Sequence, residues 1–249
     1  MGGTGSGNFG HSGRPDEVGG SGAGGEKSYY YKTVHEKCEI ATDLKMTQEI
    51  TTYQTDPNMG GPDAQKYLDE YNSMNRWKGT GYITLDHFLR DKAGQESYPF
   101  DHEKAQKSVD IIDSVIAKSE MKEDLTVYRG ISIRAGHELD VNGEFKNPSF
   151  TATSAKLASA IGFSQFRQEG GGEQNVMMIK VPKGSNAYYY GTKDSEAEIL
   201  LPRDLSFKVT GMTTYAKGIH EKVTSPYVGD SHENDFETPI TVYTMEIQK

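Results

Sequence analysis

The sequence predicts an α+β fold, with helices in the N-terminal part of the chain and strands in the C-terminal part. Three observations lead there. From Glu26 to about Glu120 the apolar residues recur at helical spacing, as in helices that bury one stripe. After Asp124 the pattern shortens to strand-length apolar runs rich in β-branched and aromatic residues. Helical and extended patterns do not alternate and no segment repeats, which argues against parallel βαβ architectures.

The chain has 249 residues, of which 34% are hydrophobic, enough to bury a true core. Residues 1–25 hold eleven glycines and almost no large apolar side chain. Such a composition cannot offset the entropy of ordering, so this segment is expected to be a flexible arm. Residues 26–249 are expected to form a single domain, helical over about 26–120 and β-rich over about 121–249.

Within the helical part, Val34, Ile40, Leu44, Met46 and Ile50 make an uneven stripe over residues 33–54, read as one or two amphipathic helices. Gly60, Gly61 and Pro62 break it. Pro62 suits the first position of the next helix, where a missing N–H costs nothing, and Tyr67, Leu68, Tyr71 and Met74 lead to Trp77 at helical spacing. Asp101 is placed to cap a further helix whose Val109, Ile112 and Ile116, flanked by Ile111 and Val115, form the cleanest apolar face in the chain. That helix is expected to end near Glu120. In the β-rich part, strands are predicted at 125–130, 176–181, 198–201 and 240–247, with a short helix at 154–166 and a loop at 169–173.

Composition narrows the function. A net charge of -9 disfavours a nonspecific grip on nucleic acid or on an anionic membrane. The single cysteine, Cys38, permits neither an internal disulfide nor a Cys-x-x-Cys metal site. His35, His220 and His232 each precede a glutamate, but no second histidine follows at metalloprotease spacing, so they are expected at the surface and no metal is predicted. No apolar run approaches eighteen residues and no signal peptide pattern opens the chain, so a soluble monomer is expected. The phosphate-cradling glycine loops of nucleotide-binding folds are absent from the sequence.

The residues with chemical promise lie late in the chain. Glu196 and Glu198 stand two apart at the mouth of the strand-length run Ile199, Leu200 and Leu201, and in extended backbone such positions share a face. Two carboxylates on one pocket can divide glycosyl transfer, one stabilising a cationic sugar and the other taking a proton from the nucleophile. By itself the pair also fits a solvated, charged strand edge.

Three elements follow one another: Tyr128-Arg129-Gly130 in one strand, Phe150-Thr151-Ala152-Thr153-Ser154 in another, and Ser195-Glu196-Ala197-Glu198 before a third. Together they resemble the Arg, Ser-Thr-Ser and Glu-x-Glu signature of mono-ADP-ribosyltransferases related to clostridial binary toxins and to tailed-phage transferases. Tyr82 to Arg90 is similar to the family's helix carrying an Ile-Asn-x-x-Leu-Arg pattern, and Val181 to Gly184 and Leu200 to Arg203 resemble the segments that flank its catalytic loop. The resemblance spans roughly residues 65–210. The glycine-rich core of the arm, Gly7 to Gly22, resembles stretches in tailed-phage head-morphogenesis proteins and enzymes fused to them, which tilts the source toward a phage or prophage.

The resemblance implies N-terminal helices packed on a mixed β-sandwich, NAD as co-substrate, no metal, and an arginine on a host protein as acceptor. It places the protein in the bacterial host's cytoplasm or in a virion. Arg129, between Tyr128 and Gly130, is then the planar fork that holds the pyrophosphate, rather than one half of a surface ion pair. Thr153 and Ser154 brace the ribose pocket and the catalytic glutamate, while Ala152 stands where the family has its first serine; Thr151 and Ser149 would point to the other face. Glu198 becomes the stabiliser of the cationic ribose and Glu196 the base for the acceptor, since a glutamate at that position accompanies arginine targets in the family. Phe163 resembles the aromatic that stacks on nicotinamide, though a buried helix residue explains it equally well, and Arg167 is a further phosphate candidate. The family's aromatic before the glutamate pair is replaced by Lys193, with Tyr188, Tyr189 and Tyr190 further upstream. Two other readings stay open: an NAD glycohydrolase, and a phage structural or interaction protein carrying the fold without its activity.

Overall fold

The structure, a computed structural model, describes residues 31–44, 50–51, 53, 55–91, 101–131, 139–165, 174–191, 196–225 and 231–248. Three short strands come first: β1 (Tyr31–Val34), β2 (Cys38–Asp43) and β3 (Ile50–Thr51). Then come α1 (Ala64–Lys78), α2 (Gly81–Asp91) and α3 (His102–Ile116). The remainder runs β4 (Glu120–Met121), β5 (Leu125–Ile131), β6 (Glu144–Asn147), β7 (Thr151–Ser154), α4 (Leu157–Gln165), β8 (Gln174–Val181), β9 (Tyr188–Tyr189), β10 (Glu198–Leu201), β11 (Leu205–Tyr215), β12 (Ile219–Thr224), β13 (His232–Phe236) and β14 (Ile240–Gln248).

Within the span 33–54 predicted as helix, the described residues instead contribute to strands β1, β2 and β3. Their partners lie far along the chain: β1 runs parallel to β11, and β2 runs parallel to β12 from Cys38 opposite Ile219 to Asp43 opposite Thr224. Along β2 the less exposed Cys38, Ile40 and Thr42 alternate with exposed Glu39, Ala41 and Asp43, a period of two that the wider stripe concealed. Met46 lies outside the described residues, as do the arm and the loop at 169–173.

Among the described residues the α-helical layer begins at residue 64. Pro62 precedes the cap residue Asp63 and so lies just outside α1. The helix buries Glu70, Ser73, Met74 and Trp77, leaving Leu68 and Tyr71 each 37% exposed, so its inner face is turned from the one the aromatics suggested. Glu70 is partnered on that face: its carboxylate accepts from Lys118 Nζ at 2.6 Å and from the Tyr53 hydroxyl at 2.8 Å. Asp101 caps α3 by accepting from the Lys104 N–H at 3.0 Å, and the predicted face is buried, with Val109, Ile112, Val115 and Ile116 inside. This helix stops at Ile116, and Glu120 instead opens β4, which pairs with β3. Trp77, Leu85, Phe88 and Ile112 join Phe150, Tyr188 and Leu200 in one cluster, so the helices cover one face of β9, β10 and the start of β7.

Among the described residues nine strands form one mixed sheet in the order β1-β11-β14-β8-β5-β7-β10-β9, with β6 added beside β11. Strands β5 and β7 are joined by one residue pair only, Tyr128 opposite Ser154. The sheet divides there. Val127, Ile179, Val209 and Met245 from one half share a core with Tyr189, Ile199 and Leu201 from the other, so the halves pack face to face as a sandwich. A second sheet, β13-β12-β2, lies beside α4: Ile219 with Cys38, Ile40 and Phe236 packs against Tyr128, Leu157, Ala160 and Ile161.

Candidate active site

A pocket opens where β5 and β7 diverge. Its lining brings together Tyr128, Arg129 and Gly130 from β5, Ala152, Thr153 and Ser154 from β7, Ala160 and Phe163 from α4, and Glu196 and Glu198. Of the predicted site residues, Arg167 alone lies outside the described residues; all the others reach this one pocket.

The divergence itself is bridged by Arg129, whose guanidinium donates to the Ala152 carbonyl at 2.7 Å. That bond pins a cation at the pocket wall. Opposing residues of an antiparallel pair share a face, so the pairs Tyr128 with Ser154 and Ser154 with Glu198 set these three in one row across β5, β7 and β10. Ser154 makes two bonds at this row: its hydroxyl donates to the Glu196 carbonyl at 2.5 Å and accepts from the Lys156 N–H at 2.8 Å. Thr153, on the other face, donates to the Ile199 carbonyl at 2.7 Å and locks β7 to β10. Thr151 is buried and accepts from Asn147 Nδ2 at 2.8 Å, and neither it nor buried Ser149 lines the pocket, so neither replaces the serine absent at Ala152.

The two glutamates meet the pocket by a different route from the one the sequence suggested. Glu198 begins β10 and is 4% exposed, but Glu196 lies in a turn, and Ala197 between them has φ 48°, in the left-handed region. Strand alternation therefore does not relate them. A left-handed alanine costs about 1–2 kcal/mol relative to the right-handed region. It is held from both sides, by the Ser154 bond to Glu196 and by the Ala155 N–H donating to the Ala197 carbonyl at 3.1 Å. No residue type announced this turn.

Tyr128 lines the pocket with little exposure, its ring lying among Leu157, Ala160, Ile161 and Val176. Burial first, and then the Glu221 carboxylate, push its hydroxyl up to about 12. Gly130 leaves room for α4 rather than open space: a Cβ there would stand 2.0 Å from the Ala160 carbonyl oxygen and 2.7 Å from the Ser164 N. Ala160 was not foreseen, because a small helical residue carries no chemical signal. Phe163, on the same helix, is half-buried at the pocket.

Of the upstream tyrosines, Tyr188 and Tyr190 turn toward the helices, where the Tyr190 hydroxyl donates to the Met74 carbonyl at 3.1 Å, whereas Tyr189 enters the sandwich core. Ser195 and Lys193 lie outside the described residues. His35 and His232 are exposed, while His220 is half-buried beside Asp235 at 3.6 Å. Among the described residues no group of three or more His, Cys, Asp or Glu side chains is arranged to hold a metal, and no helix is long and apolar enough to cross a membrane.

The chain is 27% identical over 147 residues to the NAD(+)--arginine ADP-ribosyltransferase EFV of Enterococcus faecalis, a match covering 57% of this chain and 28% of that relative. Its fold is similar to the enzymatic component C2-I of the C2 toxin of Clostridium botulinum, with a TM-score of 0.50 at 16% identity, covering 78% of this chain and 48% of the toxin chain. It is equally similar to Plx2a, an ADP-ribosyltransferase toxin of Paenibacillus larvae, with a TM-score of 0.50 at 14% identity over 73% of this chain and 86% of that one. A family model, ADP-ribosyltransferase exoenzyme, matches residues 62–226, a span that holds all the pocket's lining residues. Since that match extends over more than half of the sequence, the chain belongs to the ADP-ribosyltransferase exoenzyme family.

Proposed function

We propose that the protein transfers ADP-ribose from NAD to an arginine side chain of a host protein, releasing nicotinamide. The observation that carries this reading is the convergence of Arg129, Glu196 and Glu198 on one pocket. Arg129 binds the NAD pyrophosphate through its planar set of donors. The bond between the ribose C1′ and the nicotinamide nitrogen breaks, and nicotinamide leaves with the bonding electrons as a neutral molecule. The positive charge left on the ribose is stabilised by Glu198, whose buried position strengthens its field at the reacting carbon. A guanidinium nitrogen of the acceptor then bonds to C1′ and loses a proton to Glu196, which is needed because arginine remains protonated below a pKa of about 12. Ser154 supports the division of labour by holding the turn that carries Glu196 beside the strand that carries Glu198.

The test uses NAD labelled in its adenylate part, a bacterial lysate, and two variants. Wild-type protein is expected to label an acceptor with a bond that hydroxylamine cleaves, as arginine linkages are. Glu198→Gln should lower both transfer and NAD hydrolysis by about two to three orders of magnitude, since it removes charge stabilisation common to both. Glu196→Gln should abolish transfer and keep much of the hydrolysis. Free ADP-ribose with no labelled protein would make the enzyme an NAD glycohydrolase, and no turnover at all would leave an interaction protein with this fold.

A further inference from the structure

Helix α4 carries the pocket residues Ala160 and Phe163, yet its own sequence gives it little reason to stand there. It is nine residues long, contains Ser159, Gly162 and Ser164, and has no acidic residue in its first turn. The residue before it, Lys156, has no side-chain acceptor for the first helical N–H groups.

Those groups are met from a distance. The Leu157 N–H donates to Glu221 Oε1 and the Ala158 N–H to Glu221 Oε2, each at 2.8 Å. Glu221 belongs to β12 in the small sheet and is 0% exposed. Its other partners come from that sheet: Thr42 Oγ1 of β2 donates to Oε1 at 2.6 Å, and Asn234 Nδ2 of β13 donates to Oε2 at 3.3 Å. All four partners donate, so both oxygens act as acceptors. The carboxylate is also placed at the positive end of the helix.

We propose that Glu221 is a positioning residue for the pocket: a carboxylate from the small sheet that fixes α4, and through it the wall formed by Ala160 and Phe163, against Arg129. The proposal rests on the reading above that this pocket binds NAD. Its geometric basis is the contact at Gly130, where the backbone of α4 lies directly on β5 next to Arg129. A shift of the helix therefore changes the distance between Phe163 and the guanidinium, with no slack between them to absorb it. Ser154 ties the same helix start to the Glu196 turn, so the two bonded ends of the device are the small sheet and the catalytic turn.

Four variants, the wild type and two readouts test this. Glu221→Gln keeps the shape but turns one acceptor into a donor facing N–H groups. It should raise the Kd for NAD, measured by calorimetry, about tenfold and accelerate hydrogen exchange in α4 but not in α3. Adding Lys156→Ser to that variant supplies a local cap and should recover most of both losses. Val223→Ala, a core truncation on the same strand, serves as the stability control and should bind NAD like the wild type. If Glu221→Gln does not fold, Thr42→Val, which removes one donor and keeps the carboxylate, should show the same α4-specific exchange and about threefold weaker NAD binding. Unchanged exchange in α4, no rescue by the local cap, or an equal loss of NAD affinity in Val223→Ala would each overturn the proposal. A wild type that fails to bind NAD, while α4 still loosens in Glu221→Gln, would instead remove the NAD reading and leave the helix latch standing.

Discussion

Arg129 spans the place where the large sheet is held by one residue pair, and that position gives the side chain two jobs. Its bond to the Ala152 carbonyl joins the two halves across the divergence, and the same residue lines the pocket. Arg129→Lys keeps a charge but loses the planar fork. NAD affinity is expected to fall about ten- to a hundredfold by calorimetry, with a change of about 1 kcal/mol in unfolding free energy from the lost bond. Wild-type affinity in this variant would show that the pyrophosphate sits elsewhere. At this scale the sequence was informative where chemistry selects the residue type in the pocket: Arg129, Ser154, Glu196 and Glu198 all reach it. It was silent where conformation or packing selects it. Ala197 takes a left-handed backbone that alanine does not advertise, and Ala160 contributes only its small size.

Among the elements, β5 and α4 are the pair on which the pocket depends, and Gly130 sets their separation. Any side chain there meets helix backbone, which cannot swing away as a flexible side chain would. Gly130→Ala should therefore push α4 outward, cost about 2–3 kcal/mol in unfolding free energy, and weaken NAD binding together with stability. A variant with wild-type stability would mean that the helix tolerates displacement, and it would weaken the case for a tightly set wall. The elements that the sequence showed best were those with local causes. Asp101 caps α3 and the Val109 to Ile116 face is buried because both signals are contained within one helix. Strands β1 and β2 failed that test, since their partners β11 and β12 lie well over a hundred residues away and nothing local distinguishes a short half-buried strand from a weak helix. The cap of α4 was hidden for the same reason: Glu221 is 64 residues from Leu157.

For the molecule as a whole, the same long-range pairing decides what can be removed. The family match ends at residue 226, but β14 lies inside the large sheet, between β11 and β8, and pairs with both along most of its length. It also supplies the buried residues Val242, Tyr243 and Met245. At the other end, β2 pairs with β12, and its Thr42 is one of the donors that hold Glu221. We propose that residues 26–249 form one cooperative domain. A fragment limited to residues 62–226 loses a central strand and leaves unpaired backbone on both of its neighbours, so it should show no cooperative urea transition and should aggregate. Removing residues 1–25 is a different operation. That segment carries few large apolar side chains, and the first described strand begins at Tyr31, so the truncated protein should keep its unfolding midpoint and its rate of NAD cleavage. If the short fragment unfolds cooperatively, the outer strands are additions to a smaller independent core. If loss of the glycine-rich segment alone lowers the midpoint, that segment docks on the domain and the boundary at residue 26 must move toward the N-terminus.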